Sequence, residues 1–353
     1  MTATAPEAFS TGLQVEVGKI ERELKKLWEQ GGEMMSRASL INLAVYSEAP
    51  NSLSTNTQVV SEIAKDHACR ALVIGADPTA PNDQVEAWIN AHCHISRAGQ
   101  KQICSEQISF SLKGSFAGLL PNIVFSHLDS DLPFYLWWQG EFHDPMDPQL
   151  WTWVDRLIYD SREWRDFTVQ MRLIQLARTE SNHRVVLCDL NWTRLVQLRL
   201  ALAQFFDQPS CHSRLAKIER VEILFARRFR STAILLIGWL AAQLGWTTDA
   251  DQNDTALEFT DSAGKAVAVF LSETVGEPIG RCSIFCGSTE LRVLHASEAD
   301  LLEVSAWDGG KERTHQLMPA GSNEPVQLMG EELMRGGPHR VYLRAIEAVR
   351  GLL

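Results

Sequence analysis

Hydrophobic and polar positions follow two different patterns in the first part of the chain. Apolar residues within 17–27 recur at three- and four-residue spacing between charged ones, which predicts an amphipathic helix. The segments 38–47 and 69–77 are nearly unbroken apolar runs, as expected of buried strands, and a helix is predicted between them over 55–68. This alternation of strand and helix is typical of an α/β domain.

Further strands extend this pattern. Residues 85–96 and 104–114 alternate between apolar and polar, which predicts half-buried strands, and the apolar runs within 134–139 and 155–161 predict two more. We therefore expect residues 13–165 to form an α/β domain, a sheet with helices on its faces.

The remainder of the chain shows a different succession of predicted elements. Two long helical stretches at 163–178 and 191–206 are followed by a predicted strand and an apolar helix at 231–246. From about residue 247, short strands separated by tight turns predict an antiparallel sheet, and two helices close the chain. We expect residues 166–353 to form an α+β domain, with the boundary near 162–168.

Composition narrows the classes of function. The 353 residues are 45% hydrophobic and 22% charged, with a net charge of −11, which argues against a nucleic-acid or anionic-membrane binder. The apolar run 231–246 contains Gln243 and is shorter than the roughly 20 residues of a membrane span. The start of the chain lacks the pattern of a signal peptide, so we expect a cytoplasmic protein that uses no membrane.

The cysteines favour the same compartment. Seven are spread along the chain without a CxxC pair, which favours free thiols in a reducing cytoplasm. Cys282 and Cys286 lie four residues apart in a predicted strand, so about 13 Å separates them. A disulfide needs Cα atoms within about 7 Å, so two buried thiols are the better interpretation.

The common catalytic and cofactor motifs are absent from the sequence. We find no GxGxxG before a helix, no GxxxxGK[ST], no HExxH and no GxSxG. No nucleophile with a nearby base stands out either. We therefore predict no catalytic residue, no cofactor and no metal.

Two short motifs could bind a metal, although a structural interpretation fits each better. His67, Cys69 and the run His92-Cys93-His94 with Cys104 offer zinc ligands, but their spacing matches no standard zinc pattern. The Asp129-Ser130-Asp131 segment resembles the DxD motif of sugar-nucleotide enzymes, yet acidic residues before Leu-Pro are also ordinary turn residues.

A basic segment spans residues 214–230 in this otherwise acidic chain. It holds six basic residues, Arg214, Lys217, Arg220, Arg227, Arg228 and Arg230. Such a segment could bind phosphate or an acidic partner surface, or form a solvated face paired with local carboxylates.

Tryptophan is abundant, with 11 residues. Tryptophan and arginine are enriched in the hot spots of protein interfaces, although the core is the default place for each tryptophan. In the strand predicted within DLPFYLWWQG, Trp137 and Trp138 point to opposite faces. We expect one to pack into the core and the other to join Trp192 and Arg194 in a docking surface.

Seven segments, in order, resemble the OpcA family, the glucose-6-phosphate dehydrogenase assembly proteins of bacteria. They are RASLINLAVYSE, HACRALVIGAD, CSEQI, LPFYLWWQG, DRLIYDS, DLNWTRL and GWLAAQLGW. The resemblance runs from about residue 14 to 246 and is weaker through the C-terminal sheet.

The resemblance implies a non-catalytic assembly factor and allosteric activator that binds glucose-6-phosphate dehydrogenase in the pentose phosphate pathway. The residues predicted to bind this partner are Phe134, Tyr135, Trp137, Trp138, Trp192, Arg194, Arg227 and Arg228. The alternative is an enzyme or sensor that binds a sugar phosphate or sugar nucleotide through the basic segment and the Asp129/Asp131 pair.

Overall fold

The computed structural model describes residues 12–31, 35–95, 102–143, 148–207, 214–248, 256–296, 299–337 and 339–352. The chain divides into two compact units that exchange segments along the sequence. Unit 1 comprises Met1–Asp160, Gln170–Cys188 and Glu324–Gly337, and unit 2 comprises Ser161–Val169, Asp189–Asn323 and Pro338–Leu353. This interleaved division differs from the single boundary expected near residue 165.

The described helices are α1 Ile20–Gly31, α2 Ser52–Ile63, α3 Leu120–Ile123, α4 Phe167–Glu180, α5 Leu190–Thr193, α6 Val196–Asp207, α7 Arg230–Leu244, α8 Pro325–Met334 and α9 Arg340–Ala348. The described strands of the first sheet are β1 Leu13–Val15, β2 Met35–Arg37, β3 Ile41–Ser47, β4 Cys69–Asp77, β5 Gln84–Ile95, β6 Gln102–Lys113, β7 Phe134–Trp138, β8 Arg156–Tyr159 and β9 Val186–Asp189. The strands of the second sheet are β10 Arg220–Ala226, β11 Ala256–Thr260, β12 Ala266–Thr274, β13 Ile279–Cys286, β14 Thr289–His295, β15 Leu301–Asp308 and β16 Lys311–Pro319.

The first sheet has a parallel centre. Its strand order is β1-β5-β6-β4-β3-β7-β8-β9, and β2 pairs with β6. Strands β6, β4, β3, β7 and β8 pair in parallel, whereas β5 and β1 add an antiparallel edge. From β3 the chain moves outward to β4 on one side and later returns to β7 on the other, so the order of the parallel strands reverses at β3.

The parallel strands are buried on both faces. Six of the seven residues of β3 are buried, and β4 begins with six buried residues in succession. Parallel strands covered on both faces read as continuous apolar runs, which explains why the sequence predicted these two strands well.

Cys93 and Cys104 form a disulfide, so the expectation of free thiols is wrong at these two positions. They face each other across the antiparallel β5–β6 pair, with Cα atoms 4.1 Å apart. Directly opposed residues in such a pair come within disulfide reach. Four further cysteines, Cys69, Cys188, Cys282 and Cys286, are buried thiols, and Cys211 lies outside the described residues. The cysteine pattern therefore no longer argues for a reducing compartment.

The sheet of unit 2 is mainly antiparallel, with the order β11-β12-β10-β13-β14-β15-β16. The β10–β12 pair is parallel, which the sequence did not predict. Buried and exposed residues alternate along β11 and β12, so one face of this sheet lies on the core and the other is open.

Nine of the fifteen residues of helix α7 are buried, as the sequence predicted for 231–246. It packs closely against α9, because a Cβ on Gly238 would lie 2.4 Å from the carbonyl oxygen of Ala345. Within the described ranges, no helix is both long enough and apolar enough to cross a membrane.

Candidate partner-binding surface

The adjacent tryptophans at the end of β7 are both buried, so the expectation that one of them is exposed is wrong. Trp137 is 4% exposed and Trp138 is 6% exposed. The ring of Trp138 stacks between Tyr46, at a centroid distance of 4.0 Å, and Phe142, at 5.3 Å. The two side chains do point to opposite faces, but both faces of a parallel sheet are covered.

The two aromatic residues that begin β7 differ in exposure. Phe134 is buried, with its ring edge-on to Phe125 at 4.8 Å. Tyr135 is half-buried, and the guanidinium carbon of Arg156 lies 5.4 Å from its ring centre. Of the four aromatic residues predicted in β7, Tyr135 is the one that is not buried.

The DLNWTRL segment forms a buried polar network in unit 2. The carboxylate of Asp189 accepts hydrogen bonds from the backbone N–H and hydroxyl of Ser161, the backbone N–H of Asn191 and the hydroxyl of Tyr342. Asp189 also caps the start of α5. This carboxylate therefore joins the Ser161 turn, α5 and α9.

Three further residues of the segment extend the same network. The side-chain oxygen of Asn191 accepts hydrogen bonds from Thr232 and Arg194. Trp192 is 4% exposed, packs against Tyr342 and lies beneath the guanidinium of Arg199 at 3.4 Å. Neither Trp192 nor Arg194 offers a substantial exposed surface, because these side chains stabilise the core of unit 2.

The exposed tryptophan is Trp153, which the sequence analysis did not select. All eleven tryptophans lie in the described ranges, and Trp153, at 47% exposure, is the most exposed of them. It follows the short 3₁₀ turn Pro148–Thr152, and its ring centroid is 6.4 Å from that of Phe125. Exposed tryptophans are typical anchors of protein interfaces, because they bury a large area with few rotatable bonds.

Two arginines of the basic segment, Arg214 and Arg220, contact neighbouring residues of unit 2. Arg214 donates a hydrogen bond to Thr289. Arg220 lies over the ring of Phe285 at 3.9 Å and pairs with Glu222 at 3.3 Å. These contacts match the interpretation of a solvated face that is paired with local carboxylates.

Arg227 and Arg228 are different, because both are exposed and neither makes an ion pair or hydrogen bond with any residue in the described ranges. They occupy the turn between β10 and α7, which the Phe229 N–H closes by bonding to the Ala226 carbonyl. Arg228 has a φ of +73°, a left-handed conformation that costs about 1–2 kcal/mol for a residue with a Cβ. Two free guanidinium groups on a strained turn form an exposed positive site.

The open face of the unit 2 sheet carries charges that neutralise each other. Glu290 bonds to Arg292 at 2.9 Å, and Arg292 lies 5.4 Å from the Trp307 ring. Partial burial raises the pKa of Glu290, but hydrogen bonds with Arg292 and Ser283 and the charges of Arg292 and Arg281 together lower it by more, so the net pKa falls below the ordinary value. Phe270 of β12, at 40% exposure, is an exposed aromatic residue of this face.

The candidate metal ligands have local roles in the structure. Cys93 and Cys104 bond to each other, and His92 shares a hydrogen bond with Gln107. Burial lowers the pKa of His92, although that hydrogen bond raises it in part. Asp129 closes a turn by accepting the backbone N–H of Asp131. These contacts give Cys93, Cys104, His92 and Asp129 structural roles.

Comparisons with known proteins agree with the resemblance found in the sequence. The family model described as the glucose-6-phosphate dehydrogenase subunit N-terminal domain matches residues 60–176, and its C-terminal counterpart matches 185–346. A "Putative OxPP cycle protein OpcA" from Synechocystis sp. is 26% identical over 318 residues, covering 84% of this chain and 66% of the relative. The protein of the same name from Synechococcus elongatus is 24% identical over 313 residues, covering 81% and 68%. The matched part of this chain thus spans about two thirds of each relative.

Solved structures give only distant likenesses. An aldose-aldose oxidoreductase from Caulobacter crescentus superposes with a TM-score of 0.48 at 9% identity, covering 88% of this chain and 96% of that one. A dehydrogenase from Clostridium difficile gives 0.45 at 11% identity, with the same coverage of the two chains. Similarities at this level support no inference about activity.

Proposed function

We infer that this chain, which belongs to the OpcA family of glucose-6-phosphate dehydrogenase assembly proteins, is a non-catalytic partner of that dehydrogenase. In this role it binds the enzyme, supports its active oligomer and acts as an allosteric activator at the entry to the oxidative pentose phosphate pathway. The observation that carries the proposal is the succession of the two family matches, over 60–176 and 185–346.

Trp153 is the best candidate for an aromatic anchor in unit 1. Its side chain is 47% exposed, and its neighbour in the turn, Trp151, is 1% exposed and fixes the turn to the core. An exposed tryptophan on a well-packed base loses little conformational entropy on binding, which favours affinity.

Arg227 and Arg228 are the candidates for electrostatic contact in unit 2. Of the eight residues predicted to bind the partner, these two are the exposed ones. Their guanidinium groups suit carboxylates on an acidic partner surface, because an arginine can bind a carboxylate through two hydrogen bonds. In a chain with a net charge of −11, such a local site would also orient the encounter.

The sugar-phosphate alternative gains no specific support. Asp129 is engaged in a turn, and Arg214 and Arg220 have local partners. The proposal of a protein partner instead uses Arg227 and Arg228.

The direct test combines an activity assay with a measurement of size. Glucose-6-phosphate dehydrogenase from the same organism is assayed at limiting glucose 6-phosphate, with and without this protein, and both samples are run on a sizing column. We expect a higher rate of NADPH formation and co-elution of the two proteins. An unchanged rate together with separate elution would overturn the proposal.

A matched pair of variants then tests the anchor. We expect Trp153→Ala to weaken dehydrogenase binding by about 2 kcal/mol or more, roughly a thirtyfold change in dissociation constant, with little loss of stability. Phe270→Ala removes an exposed aromatic ring from unit 2 and serves as the control. Unchanged binding of the Trp153→Ala variant would show that Trp153 is not an anchor.

A further inference from the structure

An open pocket lies at the carboxyl end of the parallel strands in unit 1. It is lined by Tyr46 at the end of β3, Pro78 just after β4 and Trp138 at the end of β7. The order of the parallel strands reverses at β3, and the crevice at such a reversal is where open α/β sheets bind ligands. The cavity has a volume of about 350 Å³, within the range of small-molecule sites.

The walls of this pocket are mostly carbon. Besides the rings of Tyr46 and Trp138, apolar side chains line it, namely Pro78, Ala117, Leu120, Pro121 and Leu150. No lysine or arginine is among the described residues that line it. A phosphate group would therefore find no permanent cation among these residues, since the one histidine, His143, is engaged with Glu48, whereas an apolar ring would find a surface that matches it.

One carboxylate supplies the directional polar contact. The Oε1 atom of Glu48 accepts a hydrogen bond from the Tyr46 hydroxyl at 2.6 Å, and Nε2 of His143 lies 2.7 Å from the same oxygen. Because a carboxylate can only accept, His143 is the donor in that contact. The other oxygen, Oε2, accepts no hydrogen bond from any residue in the described ranges. A fixed carboxylate thus keeps one acceptor available at the pocket.

The Tyr46 hydroxyl is a permanent donor to Glu48. Burial raises the pKa of Tyr46, and the hydrogen bond to Glu48 and its negative charge raise it further. The phenol therefore stays protonated across the neutral range and holds Glu48 in place. A second carboxylate on a ligand would be repelled by Glu48, and an ammonium group would be attracted.

We propose that this pocket binds a small organic amine, a ligand with an apolar ring and one ammonium group but no phosphate. The ring would lie against the carbon-lined walls, and the ammonium would bond to Oε2 of Glu48. This site would make the protein a sensor of an amine metabolite, separately from any contact with a dehydrogenase.

Two probes with the same ring and opposite charge test the class of ligand. Tryptamine carries an ammonium and indole-3-acetate carries a carboxylate. Titration calorimetry of the full chain alone should give tryptamine a dissociation constant of about 1 mM or tighter and indole-3-acetate one at least about tenfold weaker. No saturable binding of tryptamine, or equal binding of the two probes, would overturn the proposal.

Three variants locate the binding. Gly118 lines the pocket, and a Cβ built there meets no atom within 4 Å, so Gly118→Leu can add bulk beside the cavity without a backbone clash. Gly18 also lies in a 3₁₀ turn of unit 1 with open space around it, so Gly18→Leu is the matched control. Glu48→Gln keeps the shape and removes the charge.

We expect Gly118→Leu to weaken tryptamine binding at least about tenfold, Gly18→Leu to leave it unchanged, and Glu48→Gln to bring the affinities of the two probes close together. Thermal melting of each variant reports whether it folds. Tryptamine binding that persists in both the Gly118→Leu and Glu48→Gln variants would place the amine elsewhere and overturn the assignment. Because no dehydrogenase is present in these titrations, their outcome is independent of the proposed partnership.

Discussion

The two sheets of this protein place their aromatic residues in different environments. In unit 1, β3, β4 and β7 are buried on both faces, so even adjacent tryptophans find a core. In unit 2, one face of the sheet is open. On that face, the rings of Phe285 and Trp307 lie against the guanidinium groups of Arg220 and Arg292. An aromatic-rich run in the sequence therefore indicates core in a parallel sheet, and interface candidates have to be sought in turns and on open faces.

The largest difference between the two sheets should appear when a ring is removed. We expect Trp137→Ala to lower the free energy of unfolding by about 3–5 kcal/mol, because it leaves a cavity in a closed core. Phe270→Ala on the open face should cost no more than about 1 kcal/mol. Urea denaturation of both variants measures the contrast. Similar losses would mean that the unit 2 face is covered in solution.

A second contrast concerns carboxylates. Glu106 in unit 1 is 1% exposed and bonds to Arg37 at 2.7 Å, Arg70 at 3.0 Å and Trp28 at 3.1 Å. We expect Glu106→Gln to cost about 3 kcal/mol, because buried Arg70 would lose its buried charge partner and keep only the exposed Glu21.

The matched variant is Glu290→Gln on the open face of unit 2, where the partner Arg292 is partly exposed. We expect it to cost no more than about 1 kcal/mol. Chemical denaturation near neutral pH compares the two. An equal cost would show that burial does not distinguish these ion pairs.

Alkaline pH should weaken both units through their buried thiols. Burial raises the pKa of Cys69 in unit 1 and of Cys282 in unit 2 to about 12, from an ordinary 9.0. A raised folded pKa stabilises the protein fully below pH 9.0, and this contribution is lost as pH rises from there towards the folded value.

Each thiol should thus reduce stability by up to about 1.4 kcal/mol per pH unit above pH 9. Denaturation of Cys69→Ala and Cys282→Ala across this range should give flatter pH profiles than the parent chain. A profile unchanged by either substitution would mean that these thiols are accessible when folded.

The smallest expected effect concerns the strained turn in unit 2. Arg228→Gly should raise the free energy of unfolding by up to about 1 kcal/mol, because glycine adopts a positive φ without steric cost. The same change should weaken dehydrogenase binding if the guanidinium is a contact. Arg227→Gly, at a neighbouring position with ordinary backbone geometry, should weaken binding without the gain in stability. A rise in stability with unchanged binding would remove Arg228 from the interface.

The sequence predicted regular elements well where burial is strongly periodic. The apolar runs of β3, β4 and α7 and the alternation of β5 and β6 identified these elements close to their observed bounds. The disulfide was missed because it depends on the register that places Cys93 opposite Cys104, which no spacing rule reveals. Pairing residues 84–95 with 102–113 as an antiparallel hairpin would have placed Cys93 opposite Cys104.

Exposure was harder to predict than secondary structure. Trp137, Trp138 and Trp192 stand beside turn-type residues in the sequence, as anchors often do, yet tertiary packing covers all three. Trp153 lies in a segment without a two-residue period, between buried Trp151 and Val154, so the local pattern does not separate it from the core. The polar role of Asp189 depends on Tyr342, 153 residues away.

The exchange of segments between the units has a consequence for mapping partner contacts. A fragment that ended at residue 160 would lack α8, which packs on α2 of unit 1, and the strand β9. A fragment that began there would carry those same segments without the sheet they complete. Truncation libraries would therefore score misfolding as loss of binding, and the dehydrogenase contact has to be traced with single substitutions in the intact chain.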